Sequence, residues 1–318
     1  MGLSHLTPEL VQQLLRDQER PLRSIDRPPP TVAAVLRFGA PMASTIQHHA
    51  RLERGMDHAR TLIREQETAG RSFPSGLVIV AEQLSGGRGR FQRAWHAPTG
   101  GLWMTVVLVN TLMPVSSSLY TLATGIAAAE AIATIHPGAR LKWVNDVQIE
   151  GRKVCGILCE SLHGPVSGEE YILLGIGINV NNDAFPPELA GQAASLKQLL
   201  GREIDAGQLA GQVLAKLAWY IGLLHHEEQQ FLAASDAATL SDPEQFECFL
   251  AGRRHPLVEN WLSLSDTVGR RVRFGYDVQQ KPLFDGVVAD IGCCGNLSIR
   301  LDDGNLISQN SGEIVYLD

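Results

Sequence analysis

The chain is poor in cysteine, in aromatic residues and in positive charge, and it has no long apolar run. Five cysteines in 318 residues cannot build a disulfide scaffold. Cys155 and Cys159 fall in a strand-like segment, Cys248 stands alone and Cys293-Cys294 are adjacent in a turn, so none has metal-ligand spacing. Reduced thiols and a reducing compartment are expected. With 27 Lys and Arg against 34 Asp and Glu, a net charge of −7 argues against a surface built for nucleic acid, where counterion release rewards broad basic patches. No apolar stretch approaches the ~20 residues that span a bilayer. The amino end lacks a basic-then-apolar signal pattern, because Glu9, Arg16, Asp17, Glu19 and Arg20 interrupt it. A cytoplasmic globular protein with neither membrane nor nucleic-acid partner is expected, long enough for one large core and a small companion domain.

What is present is concentrated in four segments. Gly86 to Trp95 reads Gly-Gly-Arg-Gly-Arg-Phe-Gln-Arg-Ala-Trp directly behind the apolar run Leu77 to Ala81. Glycines let backbone approach a ligand and present N–H groups, and Arg88, Arg90 and Arg93 offer forked donors for phosphate or carboxylate. The plain alternative is a strand followed by a basic solvated loop. Next come Lys142-Trp143-Val144-Asn145-Asp146 and Gly151 to Glu160, which read as strand, turn and strand with Glu150-Gly151 as a tight hairpin turn and with Lys142 and Lys153 on paired strands. Last is Tyr171 to Asn182, a buried strand whose glycines permit close approach and whose end carries three Asn residues.

Residues 1–30 read as one short amphipathic helix, with Leu10, Val11, Leu14 and Leu15 as its stripe, ended by Pro21 and by Pro28-Pro29-Pro30 as a semi-rigid spacer. It is either a homodimer element or a flexible arm, and the arm is favoured. A strand is predicted over Val32 to Leu36. Ser44 and Thr45 then stand where a long helix, Ile46 to Glu67, begins. Strands follow at Leu77 to Glu82 and Leu102 to Asn110. A small-residue helix spans Leu119 to Thr134, and further helices span Ala206 to Glu228 and Asp242 to Leu250. Strands outnumber helices without steady alternation, so residues 31–265 are expected to form an α+β domain, a mixed sheet with flanking helices. After about Ser265, five short strands spaced by Gly, Asp and Asn signal a small β-barrel over residues 266–318. His48-His49 and His225-His226 read as helix-surface pairs.

Taken in order, the glycine-arginine loop with its Trp, Lys-Trp-x-Asn-Asp, Gly-Arg-Lys-x-x-Gly-Ile-Leu and Gly-Ile-Gly-Ile-Asn-Val resemble the biotin protein ligase family from about Phe38 to the end. Ala194-Ser195-Leu196 before a helix and the stretch from Gly269 to Glu313 extend the match. The resemblance implies a class II synthetase-like catalytic domain followed by an SH3-like barrel. It also implies ATP-dependent formation of a biotinyl adenylate and transfer of biotin to a lysine of a biotin carboxyl carrier protein. ATP and Mg2+ are the implied cofactors, with no protein group ligating the metal directly. Many members carry a DNA-binding domain at the amino end; about 30 residues are too few for one, so no such role is expected here.

By the same resemblance Arg90 and Lys153 are the catalytic residues. Ser44, Thr45, Ile46, Leu84, Gly87, Arg88, Gly89, Arg90, Lys153 and Gly156 would surround the biotin, and Arg90, Arg93, Trp95, Lys142, Asn145, Asp146 and Asn179 the ATP. The chemistry joins two anions, so cations and N–H donors matter more than a nucleophile. Trp95 either stacks on adenine or packs under the loop. Asn179 either reads the base edge or satisfies backbone at a strand end. Asp146 holds Lys142 or a metal-bound water, or is structural. The glycine-rich loop is expected to order over the intermediate when a ligand neutralises its arginines.

Four positions depart from the family's pattern. Ile46 stands for an Asn, Leu84 for a Gln, Val144 for a Pro and Gln92 for a Gly. The first two make the acid pocket drier and bear on which acid is used, leaving lipoate or a fatty acid as alternatives, or a ligand-binding protein without catalysis. Gln83 could replace the missing amide only if the strand register slipped by one.

Overall fold

The computed structural model describes residues 2–183, 185–234 and 254–317. Its helices are α1 (Pro8–Leu14), α2 (Arg20–Arg23), α3 (Pro29–Gly39), α4 (Gly55–Thr68), α5 (Leu119–Ala133), α6 (Leu196–Leu200), α7 (Ala206–Ala234) and α8 (Pro256–Ser263). Seven strands form the main sheet: β1 (Thr45–His49), β2 (Leu77–Ala81), β3 (Leu102–Val109), β4 (Arg140–Lys142), β5 (Asp146–Ile149), β6 (Arg152–His163) and β7 (Glu170–Ile178). They lie in the order β1-β2-β3-β7-β6-β5-β4. β1 runs parallel to β2 and every other pairing is antiparallel, so the sheet is mixed, as the uneven strand and helix pattern predicts. Five more strands, β8 (Arg271–Gly275), β9 (Phe284–Ile291), β10 (Leu297–Arg300), β11 (Leu306–Gln309) and β12 (Glu313–Tyr316), form a second, antiparallel sheet ordered β11-β10-β9-β8-β12.

One face of the main sheet packs against α5, and α7 packs against α5 and α3; the small and aliphatic residues of α5 and α7 are buried almost throughout. Val272, Phe274, Val288 and Ile291 of the second sheet join the same apolar core. Trp143 fastens the two sheets, donating its indole N–H to the Gly295 carbonyl at 3.0 Å. The other face is covered by α4 through Met56, Ala59 and Ile63. No helix among the described residues is long and apolar enough to cross a membrane.

Three local expectations are overturned. Val32 to Leu36 lies in α3, not in a strand. A five-residue apolar run is ambiguous by periodicity, and the proline run that looks like a spacer is a helix start, with Pro28 extended at the N-cap and Pro29 first inside. Ser44 and Thr45 cap no helix. Thr45 opens β1, which takes His48 and His49 with it, and the helix begins ten residues later at Gly55. β1 gains main-chain pairing with β2 that a helix there would forgo, so tertiary pairing overrides the helical pattern. Third, the amino-terminal segment is docked rather than free. Leu3, Leu6, Val11, Leu14 and Leu15 are buried, and Leu10 and Leu14 close on Gly211 of α7. Beneath them Glu19 and Lys216 form a buried ion pair at 2.8 Å, while Arg23 pairs with Glu130 at 2.6 Å. The helix expected over Asp242 to Leu250, and Cys248, lie outside the described residues.

Candidate active site

Pleating places Gly156, Leu158 and Glu160 of β6 on one face of the sheet. Gly156 pairs with Gly177 of β7 and then Trp103 of β3. Leu158 pairs with Gly175 and then Thr105. Ala81 and Ile79 of β2 extend the same two rows. Glycines in the middle strands leave a trough, and α4 and the loop 86–95 roof it. The result is a cavity of about 610 Å³.

The loop is a short hairpin. Trp95 N–H donates to the Gly87 carbonyl at 2.9 Å, and Gly89 N–H to the Arg93 carbonyl at 2.8 Å. Trp95 turns down onto the floor: a Cβ at Gly177 would lie 2.9 Å from its indole and one at Gly156 3.0 Å, so a side chain at either position would have to displace the ring. The Lys153 ammonium sits 5.1 Å from the Trp95 ring centroid, and Trp103 meets the ring edge-on at 6.4 Å. Trp95 is thus both the packing residue beneath the loop and part of the cavity wall, its indole N–H buried with no hydrogen-bond partner among the described residues.

Lys153 Nζ lies 2.6 Å from Asp146 Oδ1. Asp146 therefore holds Lys153, not Lys142. The two lysines are on strands separated by β5 rather than on paired strands, yet both line the cavity. Lys142 lies 5.4 Å from the Tyr316 ring centroid, and burial, with Lys153 and Arg270 nearby, lowers its pKa despite Asp146 and Glu313. Arg90 donates to Asn145 Oδ1 at 3.1 Å and to the Gly312 carbonyl at 2.6 Å. Its pKa too is lowered by burial, against the pull of Glu313 and Asp146. Arg93 pairs with Glu313 at 2.6 Å and with Asp277 at 3.1 Å, so the second sheet grips the loop. Asn179 is buried, makes a long 3.5 Å contact to the Lys153 carbonyl and accepts from Asn182 at 3.3 Å.

Of the residues picked out by sequence, Leu84, Gly87, Arg88, Gly89, Arg90, Arg93, Trp95, Lys142, Asn145, Asp146, Lys153, Gly156 and Asn179 all line this one cavity. Ser44, Thr45 and Ile46 do not; they open β1 at the sheet edge. The Leu84 side holds the wall and Gln83 is absent from the lining, so no register slip rescues the missing amide. Sequence reasoning missed two charged residues of the wall, Arg54 and Glu313. Arg54 is the N-cap of α4, a signal concealed by the polar turn at Ser44. Glu313 follows Gly312 at the start of β12. No group of three His, Cys, Asp or Glu side chains among the described residues is arranged to hold a metal.

Residues 59–179 match the family model described as the biotin/lipoate A/B protein ligase family. Residues 59–179 carry a biotin/lipoate A/B protein ligase domain. The chain is 36% identical over 152 residues to the bifunctional ligase/repressor BirA of Bacillus spizizenii, covering 46% of each chain. It is 28% identical over 248 residues to the biotin--[acetyl-CoA-carboxylase] ligase of Mycobacterium tuberculosis, 76% of this chain and 79% of that one. The match thus spans about half the length of the Bacillus relative. In fold the chain is similar to the biotin protein ligase from Aquifex aeolicus in complex with biotin and ATP, with a TM-score of 0.61 and 21% identity over 86% of this chain and 98% of that one. The mixed sheet with flanking helices and the small antiparallel sheet that follows are like those of biotin protein ligase structures.

Proposed function

We propose that this chain is an ATP-dependent biotin ligase that makes biotinyl-AMP and passes the biotin to a lysine of a carboxyl carrier protein in the cytoplasm. The observation that carries the reading is that Arg88, Arg90, Lys142 and Lys153 converge on the wall of one cavity whose floor is glycine and apolar side chains. A carboxylate and a triphosphate repel one another in water; fixed cations in a partly dry trough offset that repulsion and hold the two at bonding distance. The acid's oxygen attacks the α-phosphorus, the bond to pyrophosphate breaks and pyrophosphate leaves. The carrier's neutral amine then attacks the acyl carbon and AMP departs.

In this reading Lys153, next to Asp146, faces both the acid and the α-phosphate. Arg88 and Arg90 neutralise the adenylate phosphate, and Lys142 and Arg93 the triphosphate tail. Gly87, Gly89 and Gly156 allow close approach of the acid beside Leu84. Asn145, which holds Arg90, and Asn179 at the strand end serve the nucleotide, with Trp95 as the flat wall. Ser44, Thr45 and Ile46, at the sheet edge, take no part in it. Hard oxygen donors suit Mg2+; Glu313 Oε2 is buried with no hydrogen-bond partner among the described residues, and Asp146 lines the same cavity. Either carboxylate would reach a metal riding on the phosphates through the metal's bound water, with no direct protein ligand, and the metal would spread the phosphates' negative charge.

Leu84 favours a second reading, in which the acid is lipoate or octanoate. Pyrophosphate release measured with ATP, Mg2+ and each of biotin, lipoate and octanoate separates the two. Release with biotin and label transfer to a carrier domain are expected. Release with only the other acids reassigns the substrate, and none with any acid removes the catalytic reading.

A further inference from the structure

Away from Lys153 the cavity runs under the entry to α4, where Arg54, Gly55 and Met56 form its wall. β6 spaces the two ends: Gly156 pairs with Asp146, and Glu160, 3.6 Å from Arg54, is four residues on, about 13 Å along the strand. Between them the lining is Met56, Ile79, Thr105, Leu158 and Gly175, nearly all apolar.

Arg54 is 14% exposed. Its Nη1 donates to both oxygens of Asp57 at 3.2 Å. Its Nη2 stands 3.6 Å from Glu160 Oε1, too far for a hydrogen bond. Glu160 is taken instead by Arg60, at 2.7 Å. Two cations therefore face two anions, and the cluster is formally neutral. A guanidinium carries five N–H donors, so Arg54 retains donors at the cavity wall beyond those it gives to Asp57.

Resting on the acyl-adenylate reading above, we infer that Arg54 selects the acid by donating to a neutral oxygen acceptor, such as a ring carbonyl, at the end remote from the carboxyl. A hydrocarbon terminus would strip water from the guanidinium and return no hydrogen bond. Arg54 is already paired with Asp57, and Glu160 stands 3.6 Å from it, so a second carboxylate gains less there than beside an unpaired cation. A neutral acceptor takes a guanidinium donor without the cost of desolvating an ion. Arg54 thereby supplies the polar contact that Leu84, in place of an amide, does not.

The test is calorimetric binding of biotin, octanoate and octanedioate to the full chain and to the Arg54→Ala and Arg54→Lys variants, each first checked by thermal unfolding. In the wild type biotin, with its cyclic urea carbonyl, should bind at least tenfold more tightly than either straight-chain acid. Arg54→Ala should weaken biotin on the order of tenfold to a hundredfold and bring it level with octanoate. Arg54→Lys keeps the ion pairs but not the fork, and should lose a smaller part; it carries the test if the alanine variant does not fold. In turnover the loss should appear in KM for biotin and not in kcat. Folded variants that bind biotin as the wild type does overturn the inference while leaving the ligase reading intact. A wild type that binds none of the three acids removes both.

Discussion

Lys153 Nζ lies 2.6 Å from Asp146 Oδ1, across the hairpin that Glu150 and Gly151 close. Both turn residues have positive φ, 51° and 74°, the geometry of a tight two-residue turn that aligns β5 with β6. Asp146 holds the ammonium at the cavity wall without covering it, since Lys153 is 30% exposed. Replacing Lys153 with Met should leave the fold intact and slow adenylate formation about tenfold to a hundredfold, the loss of one charge-assisted contact worth ~1.5–3 kcal/mol. Single-turnover pyrophosphate release, with circular dichroism as the control for folding, checks this.

Glu313 and Asp277 hold Arg93, and the Gly312 carbonyl holds Arg90, so the second sheet sets the posture of the loop. Arg93 is 44% exposed, and an ion pair at that exposure is worth at most ~1 kcal/mol. Glu313→Gln should therefore change thermal stability little while altering KM for ATP severalfold, an effect that shrinks as salt is raised. An unchanged KM for ATP at low salt would remove the loop-anchoring role. Cutting the chain near Ser265, by contrast, should unfold it, because Val272, Phe274, Val288 and Ile291 belong to the main core.

Lys142 has its pKa lowered, chiefly by burial. The unfolded lysine binds a proton more tightly than the folded one. Its charge therefore weighs against folding below the folded pKa, and this penalty fades as pH rises toward the unfolded value of 10.5. Phosphate binding has the opposite sign, since it needs the charged form. KM for ATP is expected to climb on the alkaline side at a lower pH than a free lysine would give, and Lys142→Arg should move that limb to higher pH. A pH profile of KM for ATP in the two proteins decides it.

Lys216 is buried between Glu19 at 2.8 Å and Glu130 at 3.4 Å. Glu19→Ala takes away the shorter contact and leaves a buried cation short of a partner, at a cost of about 3 kcal/mol. Urea unfolding should show it as a lower midpoint with an unchanged slope. A loss below about 0.5 kcal/mol would mean that the amino-terminal segment adds nothing to the core, the behaviour of a free arm.

Most of the site was legible in one dimension because its cations come in compact motifs. Arg88, Arg90 and Arg93 share a loop, and Lys142, Asp146 and Lys153 share twelve residues around one hairpin turn. The five closing strands and α5 and α7 were legible too, from Gly and Asp punctuation and from runs of small apolar residues. Segments in which two patterns compete were not. Thr45 to His49 carries a helical period, and Val32 to Leu36 a β-branched run, and each was decided by what packs against it.

By itself, then, the sequence determined the charge of the site, the order of its motifs and the mixed α+β class, since these depend on residue type and short-range spacing. Only the tertiary structure decided that Arg54 and Glu313 join the wall, that Asp146 takes Lys153 and not Lys142, and that the segment from Leu3 to Leu15 is docked. Those relations join residues dozens to hundreds of positions apart, or choose between equal neighbours. Packing of whole elements and the register of the sheet set them, and no local preference encodes either.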